Sequence, residues 1–207
     1  MGTLPPRIAG GTEEPSDHRQ VFDVALAWVR AFRSDRGDGN KNPTCFISYA
    51  WGERQHEEWI ERLADHLQSA EVSVILDRWH NVPGTSINRF IERIESSDFV
   101  CPVGTPRYRR KDRALQMDPV VQAELWLIKS KLRKRDAIRD TVIPLLRKGT
   151  AQTAFPPLLE DSVFIDFRRE TEFLAHLFEL ILTLHRIPFD DKIVRKHRAA
   201  LLTADNR

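Results

Sequence analysis

Glu124 is the side chain whose position points most directly to chemistry. On a helical wheel of Val120 to Leu132 it falls in the middle of a broad apolar arc, where charged side chains are rare. A carboxylate there has to be paired with a base or lie at the edge of a cleft, because burying it alone is costly. Pairing with Lys131 or a loop arginine and a role in catalysis both remain open, since structural ion pairs also hold carboxylates in apolar surroundings.

A second group of polar and aromatic residues follows the apolar run Val72 to Leu76. The loop Asp77 to Gly84 supplies a carboxylate at Asp77 and a large flat ring at Trp79, and it ends in Pro83-Gly84 before a helical pattern. In open α/β sheets, ligands bind beside loops that follow the carboxyl ends of buried strands. An ordinary loop in which Asp77 hydrogen-bonds its own backbone explains the same residues.

The elements that must position these residues alternate regularly from residue 44 onward. Five short, continuously apolar runs predict strands that are buried on both faces of a parallel sheet covered by helices. Right-handed crossovers would bring the loops after these strands to one edge of the sheet. The predicted strands are Cys45–Tyr49, Val72–Leu76, Phe99–Val103, Val142–Leu146 and Val163–Phe167.

Helical patterns separate most of these strands. The segments Gly104 to Leu115 and Arg147 to Leu158 lack such a pattern and are predicted to be irregular loops. The first of these loops holds the basic run Arg107 to Lys111, for most of which a solvated surface is the simplest interpretation. The predicted helices are Asp17–Phe32, Gln55–Ala70, Thr85–Ser96, Met117–Arg133 and Glu170–Leu184.

Composition divides the chain into three parts. Residues 1–43 are predicted to form an extension with one amphipathic helix and a polar linker, residues 44–188 the main domain, and residues 189–207 a charged tail that is helical or frayed. The N-terminal helix either docks on the main domain or contacts a partner. Its apolar face is assigned to Val21, Val24, Trp28 and Phe32.

Charge and cysteine content limit the classes of function. The 207 residues include 32 basic and 30 acidic ones, and a net charge of +2 gives no general attraction to nucleic acid or to a membrane. No apolar run is long enough to cross a bilayer or to form the core of a signal peptide. Cys45 and Cys101 are expected to be buried packing residues in a reducing, cytoplasmic compartment. No phosphate-binding glycine motif, metal-ligand spacing or nucleophile motif is found, so neither metal nor cofactor is expected.

Seven segments in the same order resemble a Toll/interleukin receptor (TIR) domain, specifically the bacterial branch close to the SEFIR group. They are Phe46–Trp51, Leu76–Trp79 with Pro83-Gly84, Ser97-Asp98, Thr105–Tyr108, Glu124, Val142–Leu146 with Gly149, and Phe164–Phe167. The resemblance covers about Thr44 to Arg186. It implies a flavodoxin-like α/β fold: a five-stranded parallel sheet with helices on both faces and the second strand at an edge.

The resemblance also implies one of two functions. Many bacterial, plant and some animal members cleave NAD+ at the nicotinamide–ribose bond, often in antiviral or self-killing defence, whereas others are scaffolds that only associate with such domains. In the cleaving members one glutamate on the third helix is essential, and Glu124 matches that position. The bacterial branch often carries Gly-Val-Gly-Tyr-Glu there, and this chain has Val-Val-Gln-Ala-Glu at 120–124.

On this resemblance NAD+ is the substrate rather than a cofactor. Glu124 would stabilise the oxocarbenium-like ribose that remains when the cationic nicotinamide leaves. Attack by water would then give ADP-ribose, and attack by the adenine end would give a cyclic product. Further substrate contacts are assigned to Ser48, Tyr49, Ala50, Trp51, Asp77, Trp79, Arg107 and Tyr108.

Partners follow from the same resemblance. The loop after the second strand packs on a neighbouring subunit in this family, so self-association is assigned to Trp79, His80, Asn81, Val82, Pro83 and Gly84. A regulatory sensor or partner protein would supply the activating signal. Basic runs also suggest a nucleic-acid-binding domain, but the almost neutral chain argues against that alternative. Three alternatives stay open: Tyr49 as a core residue, Trp79 in contact with its own domain, and Trp126 as either a partly covered ring or an oligomer contact.

Overall fold

The computed structural model describes residues 16–37, 41–76, 92, 95–111, 126, 128–131 and 141–204. Glu124 and the whole loop from Asp77 to Gly84, with Trp79, His80, Asn81, Val82 and Pro83, lie outside these residues. Most of the helices predicted at 85–96 and 117–133 lie outside them as well. The predicted site residues within the described part are Ser48, Tyr49, Ala50, Trp51, Arg107 and Tyr108.

Five parallel strands form the sheet at the centre of the fold, in the order β2-β1-β3-β4-β5. This order confirms the predicted flavodoxin-like α/β fold and places the second strand at an edge. The strands are β1 Thr44–Ser48, β2 Ser73–Leu76, β3 Phe99–Gly104, β4 Leu145–Leu146 and β5 Ile165–Asp166.

Both faces of the sheet are buried, which explains why the strands are continuously apolar. Cys45 and Ile47 of β1 pack into one hydrophobic cluster, whereas Phe46 between them packs into a second cluster on the other face. Val100 and Cys101 of β3 divide in the same way. The alternation is the period-2 geometry of a strand with helices on either side.

The described helices surround this sheet, and none of them is long and apolar enough to cross a bilayer. Residues 128–131 are also helical, and Ile128 among them is fully buried in the second cluster. The helices are α1 Ser16–Asp35, α2 Arg54–Ser69, α3 Pro106–Lys111, α4 Ala151–Ala154, α5 Phe173–Leu184 and α6 Lys192–Ala204, with 3-10 turns at Pro157–Leu159 and Glu170–Glu172.

The two segments predicted to be irregular loops each contain a short helix, so those predictions were wrong. Pro106 opens α3, where a residue without an N–H is tolerated, and the Thr105 hydroxyl accepts the Tyr108 N–H at 3.0 Å. A reciprocal capping box between Thr150 and Thr153 starts α4. In both cases local side-chain caps replace the long apolar period that usually signals a helix.

The last two strands are shorter than predicted. Pro144 has no N–H to donate to the ladder, and the run predicted from Val142 contributes an isolated bridge to Val100 before the two residues of β4. β5 lies at the edge of the sheet, where short strands are usual, and Val163 just before it is 94% exposed.

α1 packs against the helix layer formed by α2, α5 and α6, which is the first of the two roles considered for it. Its buried stripe contributes to the first hydrophobic cluster and is centred on Leu26 rather than on Val24, which is 60% exposed. The stripe consists of Phe22, Ala25, Leu26 and Val29. The predicted face was therefore wrong by part of a turn, although Val21, Trp28 and Phe32 pack at its margin.

Polar side chains tie the amino ends of the strands together. The Asp98 carboxylate before β3 accepts the Thr44 N–H at 2.9 Å and the Thr44 hydroxyl at 2.8 Å. The nearly buried Arg33 of α1 pairs with Glu71 and donates to the Asn42 side chain at 3.1 Å. These contacts fix the amino edge of the sheet.

Candidate functional site

The carboxyl end of β1 carries four of the predicted substrate contacts. Ser48, Tyr49 and Ala50 are buried, whereas the Trp51 side chain is 44% exposed. The Tyr49 and Trp51 rings stack with centroids 6.4 Å apart. Trp51 is thus the ring of this group that is open to a ligand, and Tyr49 supports it from the core.

The carboxyl end of β3 meets that of β1 through two contacts. The Tyr108 hydroxyl lies 3.0 Å from the Ser48 hydroxyl in a buried hydrogen bond, and the Arg107 guanidinium donates to the Gly52 carbonyl at 3.3 Å. Gly52 has a φ of +95°, and a Cβ there would lie 2.5 Å from the Arg107 side chain. A glycine suits the positive φ of this turn, and a side chain there would require the Arg107 guanidinium to shift.

The basic side chains of α3 do not all face the same part of the structure. Arg107 is exposed and faces the β1–α2 loop, whereas Arg109 points to the opposite side, where it donates to the Phe155 carbonyl and pairs with Glu160. Of these two arginines, Arg107 is the one whose side chain faces the loop that carries Trp51. The structure brings Ser48, Trp51, Arg107 and Tyr108 together, and Asp77, Trp79 and Glu124 lie outside the described residues.

The described part of the helix expected to carry Glu124 is consistent with the wheel drawn from the sequence. Ile128 is fully buried and the Trp126 side chain is 59% exposed, which places them on opposite faces as predicted. The Lys131 ammonium donates to the Ser97 carbonyl at 2.5 Å. Lys131 therefore contacts the amino edge of the sheet near β3.

A cavity of about 340 Å³ opens beside this site. None of the substrate contacts predicted from the sequence lines it. Its lining includes three cationic side chains that follow β4 and β5, together with the first turn of α2. The lining residues that matter for its chemistry are Glu53, His56, Thr105, Arg147, Lys148 and Arg168. Their positions after strand ends are the signal that sequence reasoning could have used.

His56 is the unusual residue of this cavity. It is 8% exposed, and its Nε2 atom is buried without a hydrogen-bond partner. Burial lowers the pKa of His56, Glu53 partly opposes that effect and Arg147 adds to it, so the pKa lies below the ordinary value. The ring stacks parallel to Trp59 with centroids 6.4 Å apart.

The two cysteines are buried and carry free thiols, as expected for packing residues. Their sulfur atoms lie 3.3 Å apart across β1 and β3. A hydrogen bond with Cys45, together with burial, raises the pKa of Cys101 well above its usual range. A thiol held neutral in this way is a poor nucleophile.

Comparison with known proteins identifies the family. A family model described as the TIR domain matches residues 45–181, which is more than half of the chain. The chain belongs to the TIR domain family. No curated protein matches the sequence significantly.

Three solved structures are similar to this chain, and the first of them, with a TM-score above 0.5, shows the same fold. A prokaryotic SEFIR domain is 24% identical, with a TM-score of 0.52, over 73% of this chain and 96% of that chain. The TIR domain of the Toll-related receptor TRR-2 from Hydra magnipapillata is 17% identical, with a TM-score of 0.48, over 68% of this chain and 97% of that chain. The TIR domains of the activated Roq1 resistosome, which directly recognises the pathogen effector XopQ, are 18% identical, with a TM-score of 0.41, over 80% of this chain and 84% of that chain.

Proposed function

We propose that this TIR domain is an NAD+ glycohydrolase that cleaves the nicotinamide–ribose bond and is activated by self-association, in bacterial antiviral defence. The observation that carries the proposal is the junction between the carboxyl ends of β1 and β3. There Trp51 is exposed, and the Arg107 guanidinium donates to the carbonyl of the next residue along the chain, Gly52. An aromatic face and a guanidinium are the groups that suit a base or ribose and a diphosphate.

The chemistry requires one carboxylate beside that junction. Nicotinamide in NAD+ is already cationic and leaves without protonation, so the group to be stabilised is the oxocarbenium-like ribose. Glu124 is proposed for this role. It precedes the buried Ile128 by four residues, and a helix continuing that far would put both on one face.

The remaining predicted contacts take different roles in the proposal. Ser48, Ala50 and Tyr108 are buried and would shape the floor of the site, whereas Trp51 would stack on nicotinamide or ribose. Arg107 would hold the diphosphate. Asp77 and Trp79 would contact the substrate from the loop that is also proposed to mediate self-association.

A scaffold without catalysis is the second candidate, and one observation favours it. The Trp126 side chain is 59% exposed on a helix whose Ile128 is buried, and exposed aromatic rings are enriched at the cores of protein interfaces. On this alternative, Trp126→Ala weakens self-association and Glu124→Gln has no consequence.

The experiment that tests the proposal measures nicotinamide release by purified protein, alone and with subunits brought together by an inducible dimerising fusion. Wild type is compared with Glu124→Gln and with Glu95→Gln, an exposed glutamate that serves as the matched control. We expect release by wild type and by the control, and a loss of at least about a hundredfold in Glu124→Gln, the effect of removing one charge-stabilising group. Equal release by Glu124→Gln would remove Glu124 from the mechanism, and no release under forced association would favour the scaffold.

A further inference from the structure

The two edge strands of the sheet differ in how far they are covered. β2 is buried at every residue except Ser73, whereas both residues of β5, Ile165 and Asp166, are partly exposed. Phe164 just before β5 is also partly exposed, and Val163 is 94% exposed, more than any other large apolar side chain that the structure describes. β5 is therefore the edge at which a further strand could be added.

The backbone of β5 leaves two residues facing away from the sheet. The N–H groups of Ile165 and Phe167 donate to carbonyls on the β4 side, at 3.0 and 2.8 Å. Backbone groups alternate in direction along a strand, so those of Phe164 and Asp166 point outward, where none of the described strands pairs with β5. Each of these two residues offers one donor and one acceptor to a neighbouring strand.

This edge lacks the features that usually prevent pairing with another chain. Exposed edges are commonly blocked by proline, by lysine or by a charge that points into the edge, and residues 163–167 contain neither proline nor lysine. Their single charge, the Asp166 carboxylate, is held by Arg168 in a two-pronged pair with nitrogen–oxygen distances of 2.9 and 2.6 Å. The edge is therefore open to a second strand.

Charged residues on either side of this stretch indicate the partner and its orientation. Asp161 comes before it and Arg169 after it, and both are exposed. An in-register parallel copy would bring like charges together, whereas an antiparallel copy brings Asp161 of each chain near Arg169 of the other. Arg169 contacts Glu172 in a pair that leaves the arginine side chain 66% exposed, and such pairs are weak enough to exchange. The flanking charges therefore fit a second copy of this chain in antiparallel orientation.

We propose that β5 pairs with β5 of a second copy, antiparallel and about a two-fold axis at Ile165, so that the two sheets become one. Phe164 of each copy would exchange two backbone hydrogen bonds with Asp166 of the other. Val163 would be covered beside Phe167 of the other copy. A closed pair of this kind uses the same surface of both chains.

This contact is additional to the association in the proposed function. The loop at 79–84, assigned above to self-association, follows β2, whereas β5 is the opposite edge strand of the sheet. Pairing at β5 also requires no NAD+ cleavage, so it stands or falls independently of the proposed reaction. Because it involves only residues 163–167 and their flanks, it is small beside the interfaces of stable dimers, and we expect it to form at high protein concentration.

The first test measures the mass of the full chain by sedimentation equilibrium at concentrations up to about 1 mM. Wild type is compared with Val163→Lys, which places a charge on the open edge. The matched control is Val24→Lys, the same change at a valine that is 60% exposed on α1. We expect association that is at least about tenfold weaker in Val163→Lys than in wild type, and no change in the control.

A charge exchange tests the antiparallel register. In a homodimer, Asp161→Arg alone brings two arginines together, and Arg169→Asp alone brings two aspartates together, so each should weaken association about tenfold. An equimolar mixture of the two variants should recover wild-type association, because both contacts between the different chains are then of opposite charge. The double variant Asp161→Arg/Arg169→Asp should recover it as well. Loss without recovery in either arrangement would contradict the register.

Hydrogen exchange of single amides locates the contact independently of the variants. The Phe164 and Asp166 amides should exchange more slowly as the wild-type concentration rises. The Ile165 and Phe167 amides already donate to the β4 side and should change little.

Two results would overturn the proposal. The first is a wild type that stays monomeric at about 1 mM. The second is a dimer that persists equally in Val163→Lys while the Phe164 and Asp166 amides keep exchanging fast, which would assign association to another surface, such as that of Trp126.

Discussion

The two edges of the sheet differ in how completely the buried polar side chains of the described residues are paired. At the amino edge, Asp98 accepts two hydrogen bonds from Thr44, and Arg33 pairs with Glu71. At the carboxyl edge, the Nε2 of His56 and the Nε1 of Trp59 are buried without partners, and a cavity lies beside them. The Trp51 ring next to that cavity is half exposed.

The difference separates stability from function within one sheet. Buried polar groups in folded proteins are normally paired, so the satisfied contacts at the amino edge are those expected to stabilise the fold. Unsatisfied groups persist where a ligand completes them or where another demand outweighs the cost. Substitutions at the amino edge should therefore lower stability, and those at the open side chains of the carboxyl edge, Trp51 and Arg107, should change binding.

Asp98→Ala should have the largest effect on stability. The change removes both hydrogen bonds to Thr44 and leaves donors at the start of β1 unpaired, at a cost of about 2 kcal/mol in the free energy of unfolding. Urea unfolding measures it, with Asp98→Asn as the control that keeps one acceptor oxygen and should lose about half as much. An Asp98→Ala protein as stable as wild type would contradict the claim that the paired side chains of the amino edge stabilise the fold.

Acid should reproduce this effect in the wild type. Burial raises the pKa of Asp98, but the hydrogen bonds from Thr44 outweigh it, so the pKa lies below its ordinary value. The stabilisation is therefore present above that ordinary pKa and is lost as the pH falls through the lowered one. Asp98→Asn should lack this part of the acid dependence.

Arg107→Ala should leave stability almost unchanged and affect the substrate. Arg107 is exposed and makes a single long hydrogen bond to Gly52, so we expect a loss of under about 0.5 kcal/mol in unfolding free energy. If it holds the diphosphate, KM for NAD+ should rise about tenfold, as for one charged hydrogen bond.

Arg109→Ala is the matched control for Arg107. It loses the contacts with Phe155 and Glu160, so about 1 kcal/mol of stability should be lost with no change in KM. Unfolding curves give the free energy of unfolding of each variant, and steady-state kinetics give its KM for NAD+. Reversal of the two patterns would show that the wrong arginine was assigned to the substrate.

The smallest expected effect is a difference in pH dependence between two histidines. A hydrogen bond to Glu179 raises the pKa of His176, against burial and with help from Glu172. Its stabilising contribution is complete below the ordinary pKa and is lost as the pH rises through the raised one. His56 has a lowered pKa, so its charging opposes folding as the pH falls.

Unfolding of His176→Gln measures the first of these effects. The stability advantage of wild type over this variant should be larger at mildly acidic than at mildly alkaline pH. The stability advantage of wild type over His56→Phe should instead be larger at mildly alkaline than at mildly acidic pH. Parallel trends in the two variants would contradict the opposite directions in which the pKa values of His176 and His56 are shifted.

The order and burial of the strands could be predicted because one physical rule governs them. A strand covered on both faces must be apolar at every position, as Cys45, Phe46 and Ile47 are, and such strands pair in parallel. The roles of Ser48 and Tyr108 could be narrowed only with the fold in hand. Their hydrogen bond joins residues 60 positions apart, which no local pattern reports.

The misses have identifiable causes. α3 is nucleated by the Thr105 cap and Pro106 rather than by an apolar period, so a search for periodicity overlooks it. Arg147 and Lys148 follow a strand and could have been flagged by position. The unpaired Nε2 atom of His56 could not have been predicted from the sequence, because the absence of a hydrogen-bond partner is a property of the packed structure.

The central claim is that the carboxyl edge binds the nucleotide and the amino edge only supports the fold. The most direct measurement is a nitrogen–proton NMR titration of the Glu124→Gln protein with NAD+. The account predicts shifts at the Trp51 indole and at the amides of Tyr49 and Arg107, with the amides of Thr44 and Ser73 unmoved. Equal shifts at both edges, or none at the carboxyl edge at saturating NAD+, would contradict it.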